Sequence, residues 1–164
     1  MAPMDLGVRP MSRKSVLFVC MANICRSPAL EASLRHLAAQ KKRPLHVDSC
    51  GIGWIHLGEH PDSRIFETAK AKGILIDHRA QQFQDHFFEE FDYIFTVDQE
   101  ISEQLKLRAL HPEHKAKIRL VTAFSQKHKD QEIPDPYYMG QSGFNEVMEM
   151  ILESCDGILR HIYG

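Results

Sequence analysis

The segment that most constrains this chain is SVLFVCMANICRSP, residues 15–28. Its first five residues are a short run rich in β-branched and aromatic side chains, with no polar alternation, which reads as a strand buried on both faces. Ser27-Pro28 then reads as a helix start, with Ser as N-cap and Pro at the first helical position, and Leu30, Leu34 and Leu37 give that helix one apolar face. A buried strand feeding a helix through so short a loop is half of a parallel β–α unit. The segment therefore commits the chain to an α/β fold.

The rest of the sequence continues the alternation. Further strands are expected at 45–49, 93–97 and 118–122, with helices at 63–72 and 99–110. In the last segment Phe144, Val147, Met148, Ile151, Leu152, Cys155, Ile158, Leu159 and Ile162 keep helical spacing over five turns. That stripe is core, and Cys155 on it is packing. The expected architecture is a four-stranded parallel sheet with helices on both faces and a phosphate-binding loop after the first strand. Ligands of such sheets bind at the carboxyl ends of the strands, where Cys20 stands.

Composition narrows the class further. A chain of 164 residues with 43% hydrophobic content suits one domain, expected over 15–164, with residues 1–14 as a flexible N-terminal extension. Twenty Lys and Arg against 22 Asp and Glu, with no dense basic block, argue against nucleic acid as a partner. The early apolar run ends at Ala22, far short of the ~20 residues of a membrane span, so no membrane partner is expected. Asp5, Arg9, Arg13 and Lys14 stand where a signal peptide would need an apolar block, which makes the cytoplasm the expected compartment. There, Cys20, Cys25, Cys50 and Cys155 would stay thiols.

The loop between strand and helix carries the chemistry. Successive backbone N–H groups in a tight turn converge into an anion nest, and a helix start adds partial positive charge. Arg26 can offer two parallel N–H bonds to a phosphate, and the same field favours the thiolate form of Cys20. The plain alternative is a buried cysteine ending a strand and an arginine serving a nearby carboxylate. A strand before and a helix start after the C-x5-R spacing favour the phosphate reading.

In VCMANICRSP, and in DSCGIGWIHLGEHPD (48–62), HRAQQF (78–83), FDYIFTVD (91–98) and IPDPYYMGQSGFNEV (133–147), the sequence resembles the low-molecular-weight protein tyrosine phosphatases. The family signature V-C-x-G-N-x-C-R-S-P is met at every fixed position but one, Ala22 standing in place of glycine. The resemblance implies a phosphotyrosine phosphatase working without metal or cofactor on phosphotyrosine proteins or aryl phosphates, as a monomer or weak dimer. It implies Cys20 as nucleophile, Arg26 as phosphate ligand and Asp135 as general acid. Met21, Ala22, Asn23, Ile24 and Cys25 would form the phosphate cradle, with the Ser27 hydroxyl on the nucleophile. Asn23, Ser49 and His78 would hold the loop in shape, and Trp54 and Tyr137 would flank the mouth. Cys25 would be either packing or a redox partner that shields Cys20.

Departures and alternatives follow from the same residues. Ala22 would cost stability or rate if that position needs a positive φ or close approach to the ligand. Gln81 and Ile101 stand where the family often has Arg and Asn. An arsenate reductase on the same fold would need relay cysteines, and there is none between Cys50 and Cys155. A catalytically silent phospho-ligand module would be expected to have lost Cys20, Arg26 or Asp135. A phosphoarginine-specific branch tends to carry Thr at the position of Ile24, so Ile24 favours tyrosine. His56, His60 and Asp62 could suit zinc on a helix, but Gly58 and Pro61 argue against a helix there, and His111 with His114 has the same weakness.

Overall fold

Val16, Leu17, Phe18 and Val19 are all completely shielded from solvent. Alternate residues of a strand face opposite sides, so burial of all four means that both faces of the sheet are covered at its centre. The computed structural model describes residues 13–164. In chain order it contains β1 (Lys14–Cys20), α1 (Arg26–Gln40), β2 (Leu45–Gly51), α2 (Ser63–Lys70), α3 (Phe87–Glu90), β3 (Tyr93–Thr96), α4 (Gln99–Arg108), α5 (Pro112–Lys115), β4 (Ile118–Leu120) and α6 (Gln141–Tyr163).

The four strands form one parallel sheet in the order β2-β1-β3-β4. Val19 is in register with Cys50 on one side and Thr96 on the other, so β1, β2 and β3 end at one edge. Helix α1 packs against β1, β2 and α6, while α4 packs against β3 and β4. The stripe on α6 lies inside: Phe144, Val147, Met148, Ile151, Cys155, Ile158 and Leu159 are buried, and Leu152 and Ile162 are partly so. Among the described residues no helix is long and apolar enough to cross a membrane.

Several boundaries differ from expectation. Lys14 already belongs to β1, and residues 1–12 of the expected extension lie outside the described residues. Helix α1 opens at Arg26 with Cys25 as its N-cap, so Ser27 is not the cap and Pro28 is the third helical residue. Proline is tolerated there because the first-turn amides have no intrahelical acceptor to lose. The Ser27 hydroxyl is free of capping duty and turns to the cysteine instead. The last strand stops at Leu120, since the chain tightens into a 3₁₀ turn over Val121–Phe124. Helices α2 and α4 each end two residues early, and the four-residue helices α3 and α5 were not expected.

Candidate active site

Cys20 is the last residue of β1 and is 3% exposed. Its Sγ lies 2.9 Å from the Ser27 Oγ and accepts the Asn23 N–H at 3.2 Å. One group comes from the loop that follows and the other from the first turn of α1, so the sulfur sits inside the turn its own strand begins. The loop's carbonyls are claimed by neighbours: Cys20 O accepts Ile52 N–H at 3.0 Å, Met21 O accepts Gly53 N–H at 2.8 Å, and Ile24 O accepts Asp62 N–H at 2.7 Å. Among the described residues, the amides of Ala22, Ile24, Cys25 and Arg26 donate to no protein acceptor. Four donors without partners beside a helix start are a feature that suits an anion.

The loop's shape depends on Asn23, which is 1% exposed and has φ +58°. Its Nδ2 donates to Ser27 Oγ at 2.8 Å and Ser49 Oγ at 3.1 Å, and its Oδ1 accepts from His78 Nε2 at 2.6 Å and Gln81 N–H at 2.9 Å. The expected set of Asn23, Ser49 and His78 is therefore in contact. Ala22 does not share the positive φ, so the methyl in place of glycine carries no such backbone strain, contrary to the concern raised by the sequence. Gly51, at the end of β2, faces the loop so closely that an added Cβ would lie 2.6 Å from Met21 O.

Behind this network stands a residue that sequence reasoning missed. Glu31 on α1 is 4% exposed; its Oε1 accepts the Ser49 hydroxyl at 2.7 Å and lies 3.1 Å from His78 Nδ1, while its Oε2 pairs with Arg35 at 2.6 Å. Burial works to raise its pKa, but His78, Ser49 and Arg35 outweigh that and hold the carboxyl below the usual glutamate range. A charged residue one turn after Ser27, among the leucines of the apolar face, was the available signal. Asp48 brings a third ligand atom within 4.8 Å of Glu31 and His78, so these three could hold a cation; Glu31 and His78 are already engaged by the loop network.

Arg26 is 9% exposed and spans the site in another direction. Its Nη1 donates to Ile133 O at 2.9 Å and lies 3.5 Å from Asp98 Oδ2. Ile133 N–H in turn donates to Val97 O at 2.9 Å, just beyond the end of β3, which fixes the segment carrying Asp135 beside the arginine. Asp135 is exposed, and its Oδ1 accepts the Tyr137 N–H at 3.1 Å. Tyr137 is about half exposed and is held by Arg64, whose guanidinium stands 4.7 Å from the ring centroid and donates to the Tyr137 carbonyl at 2.8 Å. Arg64 is itself fixed by Asp62, the N-cap of α2. Trp54 is 67% exposed, on a turn closed by Leu57 N–H to its carbonyl.

The remaining loop residues divide by exposure. Met21 is exposed, while Ile24 and Cys25 are intermediate. Burial, with the nearby Asp62, Cys20 and Asp135 charges, pushes the Cys25 pKa up to about 12. Cys50 and Cys155 are raised as well, chiefly by burial. Of the histidines considered for zinc, His56 pairs with Glu59 in a turn, and His114 pairs with Glu89 and stacks on Phe88.

The family described as low molecular weight phosphotyrosine protein phosphatase matches residues 15–163. A low molecular weight phosphotyrosine protein phosphatase of Schizosaccharomyces pombe is 35% identical over 151 residues, covering 90% of this chain and 96% of that protein. Among solved structures, a protein tyrosine phosphatase from Entamoeba histolytica superposes with a TM-score of 0.87 at 32% identity, covering 91% of this chain and 96% of that one. A Drosophila arginine phosphatase does so with a TM-score of 0.84 at 35% identity, covering 91% and 98%.

Proposed function

The chain belongs to the low molecular weight phosphotyrosine protein phosphatase family, and on that premise we propose that it removes phosphate from phosphotyrosine through a covalent phosphoryl group on Cys20. The enzyme is a protein-tyrosine phosphatase, so its substrates are phosphoproteins or aryl phosphates. The observation that carries the residue assignment is the position of Cys20 Sγ, which faces the Ser27 hydroxyl and the Asn23 amide within a ring of unpaired loop amides. The nucleophile in this chemistry is the thiolate, and a sulfur at the end of a strand beside a helix start is placed to act as one.

In the first step the Cys20 thiolate attacks phosphorus in line with the departing phenol. The S–P bond forms as the P–O bond to the ring breaks, and Asp135 gives its proton to the leaving oxygen, a contribution of about 10²–10⁴ in rate. In the second step water attacks the phosphocysteine, Asp135 takes the water's proton, and the S–P bond breaks to release phosphate and regenerate the thiolate. Loop amides and Arg26 meet the charge spread over the three equatorial oxygens. The Arg26 contact to Ile133 supports the pairing of acid and phosphate ligand, because one backbone segment bears both partners. Exposed flat rings at Trp54 and Tyr137 suit the two sides of a phenyl group.

The reading includes a cytoplasmic enzyme acting as a monomer or weak dimer, without metal, on phosphotyrosine. Ile24 supports tyrosine over arginine, although the Drosophila arginine phosphatase is similar in fold and identity. Purified protein and its Cys20→Ser form should be compared on phosphotyrosine, phosphoserine, phosphoarginine and arsenate. Phosphotyrosine turnover that is abolished in Cys20→Ser, with phosphate binding retained, is expected. Substantial residual hydrolysis would remove Cys20 as the nucleophile, and a preference for phosphoarginine would overturn the substrate.

A further inference from the structure

A groove of about 840 Å³ opens beside the phosphate loop, with Arg26 and Asp135 among its lining residues. One wall is helix α6 from Gly143 to Glu153, and the other is the segment from Lys127 to Asp135. Its floor is apolar: Ile133, Val147 and Met150 are all buried. Its walls are not. Six carboxylates line it against two permanent cations, Arg26 and Lys127, with His128 as the one imidazole.

Most of those carboxylates are already committed. Asp98 caps α4 through Ile101 N–H and faces Arg26, and Glu132 accepts Gln99 N–H. Glu153 receives the Ser125 hydroxyl and the Gln126 amide, and Asp135 is the acid of the reaction. Glu146 and Glu149 are different. They are exposed, three residues apart on one wall, and make no hydrogen bond or ion pair with any described residue.

What passes over this groove is constrained by the reaction. A phosphotyrosine with its phosphate on the loop carries its polypeptide on the far end of a ring flanked by Trp54 and Tyr137, and Asp135, beside its phenolic oxygen, also lines the groove. We infer that the groove receives the flanking residues of the phosphoprotein substrate and selects basic side chains, with Glu146 and Glu149 as the determinants of specificity; the inference rests on the catalytic reading above. Ten residues of helix rise roughly 15 Å, the length of about four or five extended residues, so the selected Lys or Arg lies within about four residues of the phosphotyrosine. Its aliphatic stem covers the apolar floor while the charge reaches the wall. Acidic flanks, by contrast, meet like charge.

The test uses phosphotyrosine peptides carrying Arg, Ala or Glu at the second to fourth positions on either side, with an uncharged aryl phosphate as control. The proteins are the natural chain and Glu146→Gln/Glu149→Gln. Arg peptides are expected to exceed Glu peptides by about five- to tenfold in kcat/KM at low ionic strength, since exposed pairs are individually weak. Salt should shrink the ratio. The double variant should lose the preference while hydrolysing the aryl phosphate at the natural rate. Equal rates for Arg and Glu peptides, or a preference that survives the double substitution, would overturn the inference. Failure of the natural chain on the aryl phosphate itself would instead count against the catalytic reading.

Discussion

Gly51→Ala tests whether the phosphate loop is held in place by the end of β2. Gly51 lies outside the positive-φ region, so its need is for space and not for backbone freedom. A Cβ there would stand 2.6 Å from Met21 O, 3.1 Å from the Ala22 carbonyl carbon and 3.1 Å from Asn23 N. All three are backbone atoms of the loop, so no side chain can swing aside. Restoring ordinary contact near 3.4 Å requires the loop and strand to part by roughly 0.8 Å, and a misplacement on the order of 1 Å at a reacting centre costs on the order of 10² in rate. Overpacking of this kind costs about 1–3 kcal/mol, or roughly 2–12 °C in Tm for a domain of this size. Aryl phosphate kinetics with thermal unfolding on the same sample would measure both. Gly53→Ala is the control, because its Cβ would meet Met21 O at 3.3 Å and needs only a small adjustment. A Gly51→Ala enzyme whose kcat stays within a factor of a few of the natural one would refute the argument that this contact positions the loop.

Asp135→Asn should slow hydrolysis by about 10²–10⁴ for leaving groups as basic as tyrosine and far less for acidic phenols, and equal losses across a leaving-group series would reject Asp135 as the acid. Glu31 has a folded-state pKa below its ordinary value, so its stabilisation is complete above the usual glutamate range and is lost as pH falls through the lowered value. Melting curves recorded from neutral pH downward should therefore show a smaller acid-induced drop for Glu31→Gln than for the natural protein, whereas parallel curves would contradict the assignment. Burial above all, with the Asp62 and Cys20 charges after it, keeps Cys25 a neutral thiol at neutral pH. Peroxide turns Cys20 into a neutral sulfenic acid, whose condensation with the Cys25 thiol releases water and leaves a disulfide. Inactivation should be reversed by a thiol reductant in the natural protein and not in Cys25→Ser; recovery unchanged by the substitution would leave Cys25 as packing alone.

What could be read from the sequence were features whose cause is local. The strand before Cys20, the helix after it and the stripe on α6 each follow from periodicity within one element. Helices α3 and α5 have four residues each, barely one turn, which is too short for any period to show. The N-cap was misplaced by two residues because Ser27 has a preference for capping that the Cys20 sulfur overrides. Glu31, Gly51 and the Ile133 carbonyl escaped for a different reason. Their roles consist of contacts across 18 to 107 residues of chain, to Ser49, to the loop backbone at Met21 and to Arg26, and no local pattern encodes those.

Asn23 is where the local rules and the site pull apart, and the way they are reconciled shows which contacts hold the loop in its shape. A left-handed conformation costs an ordinary residue about 1–2 kcal/mol, and asparagine is among the few that adopt it readily. Glycine would be cheaper still in conformational terms, but glycine has no amide to offer. The Asn23 side chain makes four hydrogen bonds, to Ser27, Ser49, His78 and Gln81, all in the interior where an unpaired polar group costs about 1–3 kcal/mol. The strain at one backbone position is thus outweighed by partners that come from α1, β2 and the segment after α2. Since those partners are themselves anchored, Ser49 and His78 by Glu31, and Glu31 by Arg35, the turn around Cys20 is set by the folded domain. On the proposed reading, loop amides held in advance by the fold are the form in which a protein stabilises developing charge without paying for reorganisation during the reaction.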